Sequence, residues 1–257
     1  MKIGICGDVG RAILAKEMGY DYIEENLSRI GQMTESEFDS TVKGYEKADM
    51  PVYSFNGYIP RHIAIYEKSA IEEIRKFSLV AIERASILGG KVCVLGSGAQ
   101  RKIPEGMDRA LAEERFLDVV RVCGEIADKK GIKIAIEPLS KNETNFINFV
   151  EEGADIARKS GLKNVGTLVD FFHFFMNNDT KESLLSSKDV LFHTHIARPN
   201  PDRLMPIEED LPTLKKWADT LKEMNYKGAI SVEAIFMDKF ESMVKERTKY
   251  LQIFRSV

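Results

Sequence analysis

Positive charge is not in surplus in this 257-residue sequence: 37 Lys and Arg face 40 Asp and Glu, for a formal net charge of -3 and a pI near 5.9. A polyphosphate backbone would meet no overall basic field, so nucleic acid is not the expected partner. Cysteine is scarce too. Cys6, Cys93 and Cys123 are widely spaced and make neither a disulfide framework nor a CxxC metal knuckle, and a reducing cytoplasm is the expected setting. No stretch reaches the ~20 apolar residues that a membrane span requires. The opening MKIGICGDVGRAIL, with one early Lys and an apolar run broken by Gly and Asp, reads as a first strand and not as a signal peptide. A GxGxxG phosphate loop is also missing, since CGDVGRA offers only GxxG, and this counts against an open doubly wound sheet.

What is present is a repeat of strand and helix. Short apolar runs rich in β-branched residues recur at Lys2–Cys6, Tyr20–Glu24, Val52–Phe55, Lys91–Leu95, Lys133–Ile136, Val165–Val169, Val190–His195 and Ala229–Val232. Between them lie segments of helical period, such as 70–88, where Ile71, Ile74, Phe77, Val80, Ala81, Ala85 and Leu88 mark one stripe. Apolar strands alternating with amphipathic helices imply a parallel sheet covered by helices, and eight such units imply closure. Gly19, Gly90, Gly131, Gly161 and Gly228 stand before strands, as helix-capping residues do. The expectation is one (β/α)₈ TIM barrel over residues 1–257, a usual size for that fold.

In such a barrel the chemistry lies at the C-terminal ends of the strands. Four runs end in groups able to hold a metal: the fifth in Glu137, the sixth in Asp170 and His173, the seventh in His193 and His195, the eighth in Glu233. A carboxylate there can merely cap the next helix, and a His among aromatics can be a satisfied core residue. Three of the four histidines at two consecutive strand ends, flanked by carboxylates, point instead to a metal. Two Glu, one Asp and one imidazole, with no thiolate, suit Mn²⁺, Mg²⁺ or Co²⁺, with Zn²⁺ also admissible. A carboxylate pair beside a polarised carbonyl can remove a proton and return one from the other side.

At these residues the chain resembles the xylose-isomerase-like superfamily of sugar phosphate isomerases and epimerases, and most closely its D-tagatose/D-psicose 3-epimerase branch. The resemblance implies metal ligands at Glu137, Asp170, His195 and Glu233, with Glu137 and Glu233 exchanging the proton. VDFFH matches the Asp-x-x-His signature whose His contacts substrate, here His173, and EPLSKNE places Glu143 where a second Glu reaches the reacting end. His193 of His-Thr-His is then a supporting or substrate group. A substrate Arg is implied in RPNPDRLMP, where Arg203 fits the pattern better than Arg198 despite a two-residue shift. Gly96 and Ser97 resemble the superfamily's Gly-Ser loop, where a small residue lets substrate approach the backbone.

The implied activity is metal-dependent epimerisation or isomerisation of a ketose or related polyol-ketone through an enediolate, with Mn²⁺ the first choice of ion. Its rivals are a lyase of the inosose dehydratase type, a C-glycoside deglycosidase subunit, an endonuclease IV-like nuclease and a non-catalytic sugar sensor. A trinuclear nuclease site needs more imidazoles than four histidines supply. The resemblance further implies a homodimer or homotetramer acting on a small sugar, with no membrane partner. Tyr53, Phe55, Tyr58, Phe171 and Phe172 can either line an aromatic wall around the substrate or fill barrel layers, the segment with His62 and Tyr66 is long enough for a lid, and Trp217 fits core or interface, with core the first choice.

Overall fold

A strand such as VGTLVD, β6 (Val165–Asp170), is buried at every position and so cannot lie at a solvated edge. In the computed structural model, which describes residues 1–257, eight parallel strands meet this demand by closing on themselves. They are β1 (Lys2–Cys6), β2 (Tyr22–Asn26), β3 (Val52–Asn56), β4 (Val92–Leu95), β5 (Lys133–Ile136), β6, β7 (Leu191–Ile196) and β8 (Ala229–Val232). Each pairs with the next. The seam is closed between β1 and β8, with Lys2 opposite Ala229 and Ile5 opposite Val232. The fold is the expected (β/α)₈ barrel.

Around it run α1 (Ala12–Glu17), α2 (Leu27–Gln32), α3 (Glu35–Ala48), α4 (Ala70–Ile87), α5 (Gly98–Arg101), α6 (Arg109–Asp128), α7 (Val150–Ser160), α8 (Phe171–Met176), α9 (Lys181–Ser186), α10 (Leu211–Glu223) and α11 (Phe240–Arg247). Local chemistry starts and stops them. Thr34 and Glu37 close a reciprocal capping box at the head of α3, Asp108 accepts from the Leu111 N–H at 3.0 Å to open α6, and Gly161 at φ +74° ends α7. No helix is long and apolar enough to cross a membrane.

Three local expectations are corrected. Strand β2 begins at Tyr22 and not Tyr20, because the Tyr20 N–H still bonds back to Ala15 at the end of α1 and the Asp21 carboxylate accepts from the Ile3 N–H at 2.6 Å. The left-handed residues before β4 and β8 are Gly89 and Asn225, not Gly90 and Gly228; the latter two are small because a Cβ would meet the Phe55 and Tyr226 rings. On α4, Val80 is 44% exposed while Arg84 is buried, its guanidinium donating to the Ile30 and Met33 carbonyls at 2.9 and 2.7 Å. Hydrophobicity alone could not show that a neighbouring helix end needed a donor there.

The main core lies between barrel and helices and includes Ile5, Ile23, Phe55, Ile134, Val169, Ile196 and Val232. A separate small cluster, Val92, Val94, Ala135 and Leu168, fills the inside of the barrel along β4, β5 and β6. Ala135 shares its face with Glu137 and Leu168 with Asp170, as the two-residue period of a strand requires. Across the lumen, Tyr22, Glu24, Ser54, His193 and Ser231 are polar and equally buried. The barrel is thus dry on one side and hydrogen-bonded on the other.

Candidate metal centre

The strand ends bring Glu137, Asp170, His195 and Glu233 together, one ligand atom of each lying within 4.8 Å of all the others. Register does part of this: Asp170 on β6 stands opposite His195 on β7, which stands opposite Ser231 on β8, two residues before Glu233. His195 Nδ1 is 3.1 Å from both Glu137 Oε1 and Glu233 Oε2. Its Nε2 donates to Glu24 Oε1 at 2.7 Å.

Burial, reinforced by repulsion from Glu233, pushes the Glu137 carboxyl above its ordinary range. Burial also works against ionised Glu233, but His195 and Arg203 outweigh it and draw that group down to about 2. Burial likewise opposes a charged His195 ring, yet Glu24, Glu233 and Glu137 hold it well above its ordinary value. The common cause is an excess of negative charge. Four carboxylates, counting Glu24 beneath the ring, converge here against the fixed charge of Arg203, and each close pair repels by roughly 4 kcal/mol in a protein-like medium. An Nδ1 edge facing two carboxylates is stable only with positive charge there, either a proton or a bound cation. Mixed oxygen and nitrogen donors at this spacing fit a divalent ion.

Other expected residues divide. His173 is buried under the mouth, its Nδ1 accepting from the Ser140 N–H at 3.1 Å; this leaves Nε2–H as the free edge, 3.5 Å from Asp170 Oδ2 and with no hydrogen-bond partner. Arg203 reaches Asp170 Oδ2 at 2.8 Å and Glu233 Oε2 at 2.6 Å, with Phe172 under its guanidinium at 4.8 Å. Arg198 turns away to Asp202 and Asp210. Glu143 stands half-exposed at the rim, 3.8 Å from both Arg203 Nη1 and His173 Nδ1. The loop that carries it is fastened from inside: fully buried Arg101 donates to the Ile147 carbonyl at 3.1 Å, and Ile147 is held at φ +60°, costly for a β-branched residue.

His193 is not brought to the mouth. It lies one layer deeper, sealed from solvent, with Nε2 at 2.8 Å from Glu24 Oε2 and 3.1 Å from Ser231 Oγ. Burial keeps its ring below the ordinary histidine value. Of the aromatic wall, only Phe172 borders the cluster. Phe55, Tyr58 and Phe171 are core, Phe171 stacking on core Trp217 at 4.6 Å, while Tyr53 pairs with Tyr22 at 5.0 Å. His62 is exposed, and the Tyr66 hydroxyl is spent on the Arg101 carbonyl at 2.8 Å, so the segment after β3 is pinned by its own packing.

Two groups at the centre were not anticipated. Glu24 ends the inward face of β2, and Asn56 ends that of β3, its Nδ2 donating to Glu233 Oε1 at 3.0 Å and to Cys6 Sγ at 3.4 Å. The signal existed, since both are polar residues terminating apolar runs. Cys6, Glu24 and His195 also lie close together, but burial and the neighbouring carboxylates push the Cys6 thiol well up, which keeps it a weak ligand.

Gly96 ends β4 against Glu137: a Cβ built there would stand 2.3 Å from Glu137 Oε2. Gly96→Ala must therefore displace the carboxylate. We expect the affinity for Mn²⁺ to fall about 10-fold or more with the melting temperature little changed, because displacing a candidate ligand should weaken the centre at least as much as losing one of its outer partners. An unchanged affinity would show that Glu137 need not stay in place.

Comparison with known proteins adds three findings. A family model described as xylose isomerase-like TIM barrel matches residues 13–252. An inosose isomerase of Bacillus velezensis is 27% identical over 258 residues, covering 91% of this chain and 85% of its own, and a D-psicose 3-epimerase of Agrobacterium fabrum is 26% identical over 131 residues, covering 49% and 43%. A solved structure of IOLI protein with a binding zinc atom superposes with a TM-score of 0.77 at 20% identity, covering 100% of this chain and 99% of that one.

Proposed function

From the chain's membership of the xylose isomerase-like TIM barrel family, we propose that it is a divalent-metal-dependent sugar epimerase or isomerase acting on a ketose or related polyol-ketone. Relatives named as sugar epimerases and isomerases place it among isomerase-type enzymes. The observation that carries the finer reading is the convergence of Glu137, Asp170, His195 and Glu233 at the mouth. These four would hold the ion, which when bound polarises a substrate carbonyl and acidifies the neighbouring C–H.

The chain's own residues then have distinct tasks. Glu137 and Glu233 reach the mouth from β5 and β8, so substrate lying between them meets a carboxylate from two directions. One takes the proton as the C–H electron pair moves into the carbonyl to form an enediolate, and the other returns a proton to carbon. Asn56 and Arg203 each hold one oxygen of Glu233, which fixes its plane. The free Nε2–H of His173 and the guanidinium of Arg203 present donors to substrate oxygens and to the negative charge that develops there. Glu143 reads a hydroxyl at the rim. Residues 1–257 act as one catalytic domain, with Mn²⁺ as the resident ion, in a cytoplasmic homodimer or homotetramer.

The nuclease reading is disfavoured, since His62 is exposed and His193 is enclosed, leaving only His195 and His173 at the mouth. The test is incubation of ketohexoses, pentoses and inososes with the Mn²⁺-loaded protein in D₂O. Deuterium should enter the carbon beside the carbonyl as an epimer or aldose–ketose isomer forms. Wash-in accompanied by loss of water would move the assignment to a lyase. If no sugar of the panel exchanges a proton, the proposal fails.

A further inference from the structure

The deepest polar group of the barrel has no part in the proton chemistry above. Glu24 is 1% exposed, and every donor around it converges on its two oxygens. Its Oε2 accepts from Ser54 Oγ at 2.6 Å, from Ser231 Oγ at 2.5 Å and from His193 Nε2 at 2.8 Å. Its Oε1 is kept for His195 Nε2 at 2.7 Å. Tyr22 OH at 2.8 Å from Ser231 Oγ completes the set, so these partners come from β2, β3, β7 and β8.

The asymmetry has a chemical result. An ionised carboxylate only accepts, so each group facing Glu24 must donate. His193 is thereby Nε2–H, which leaves its Nδ1 as a lone pair, and that Nδ1 is a buried atom with no partner. His195 likewise donates through Nε2, which turns its Nδ1 edge upward toward Glu137 and Glu233, where a cation can replace the proton. A ligand imidazole needs a free lone pair on the metal side and a donor–acceptor bond on the other. Glu24 supplies the second condition, and the register irregularity between Ile23 and Glu24 on β2 helps aim it.

We propose that Glu24 is the positioning residue of the metal centre, fixing the His195 ring in the Nε2–H tautomer so that Nδ1 becomes its ligand atom. Ser54, Ser231 and His193 hold Glu24 in place for that task. The inference rests on the metal-centre reading above. It assigns no contact with substrate to Glu24 or His193.

Two measurements test it. The first needs no variant: in Zn²⁺-loaded protein with ¹⁵N-labelled histidine, His195 should give the spectrum of an Nε2–H ring with Nδ1 unprotonated. An Nδ1–H ring would overturn the proposal. The second titrates metal-free protein with Mn²⁺, followed by electron paramagnetic resonance. Glu24→Gln, of equal volume, should bind about 10- to 100-fold more weakly than the wild type with unchanged far-ultraviolet dichroism. Equal affinity would overturn the positioning role while leaving the metal centre standing. A wild type that takes up no Mn²⁺ would overturn both.

Discussion

Glu137→Gln and Glu233→Gln, made one at a time, should each cut turnover by about 10³-fold or more while the barrel stays folded, the scale set by loss of a positioned acid or base. What distinguishes this from simple damage is the sign of the stability change in metal-free protein. The Glu137 carboxyl is raised by burial and by Glu233, so its ionisation opposes folding at neutral pH. Removing it should raise the melting temperature at pH 7, and the gain should vanish below about pH 4, the ordinary glutamate range, where the carboxyl is neutral in folded and unfolded chains alike. Glu233 has the opposite sense. Despite burial, His195 and Arg203 draw it down to about 2, so it contributes stability that is present above its unfolded value and lost as pH falls towards 2. Glu233→Gln should therefore lower the melting temperature at pH 7. Kinetics and thermal scans across pH check both variants; full activity in either one would remove the pair from the mechanism.

Stripping divalent ions with a chelator should abolish turnover, and Mn²⁺ should restore it. Without a cation, the carboxylates around His195 repel one another in a site mostly closed to water. An ion at 1,000 times its dissociation constant adds roughly 4 kcal/mol to folding, which for a chain of this size is a shift of roughly 10 °C in melting temperature. Differential scanning fluorimetry with and without Mn²⁺ reads the shift. Undiminished activity in protein shown by elemental analysis to be metal-free would defeat the centre altogether.

Much of this architecture was legible because parallel strands write their burial into runs such as KIAI and LFHTHI, while helices write theirs at a different period. The convergence of Glu137, Asp170, His195 and Glu233 could be anticipated since strand ends share one mouth. Glu24 was hidden by a narrower cause. It ends its run next to Glu25, which is also buried but turns outward to Tyr45 and Arg29, and a pair of adjacent acids does not reveal which one faces the lumen. His193 was visible as a strand residue but not as a deep one, because depth depends on what fills the barrel below, and that is Glu24 with its serines. The aromatics left wall and packed interior equally open for a related reason: rings on β3 and α8 serve whichever side packs more tightly, and Phe171 found Trp217. That Arg203 and not Arg198 reaches the carboxylates depends on where the loop after β7 turns, which Arg203 does at φ +50°.

The seam between β1 and β8 is bridged from within as well as by its ladder, because Ser231 on β8 reaches across the lumen to Glu24 on β2, 207 positions earlier in the chain. Contacts of such long range form only after most of the polypeptide has collapsed. A nascent or half-built barrel therefore carries the acids of β5 and β6 without the clasp that orients the imidazole. The contact that aims the His195 ring is therefore complete only once the ring of strands has closed.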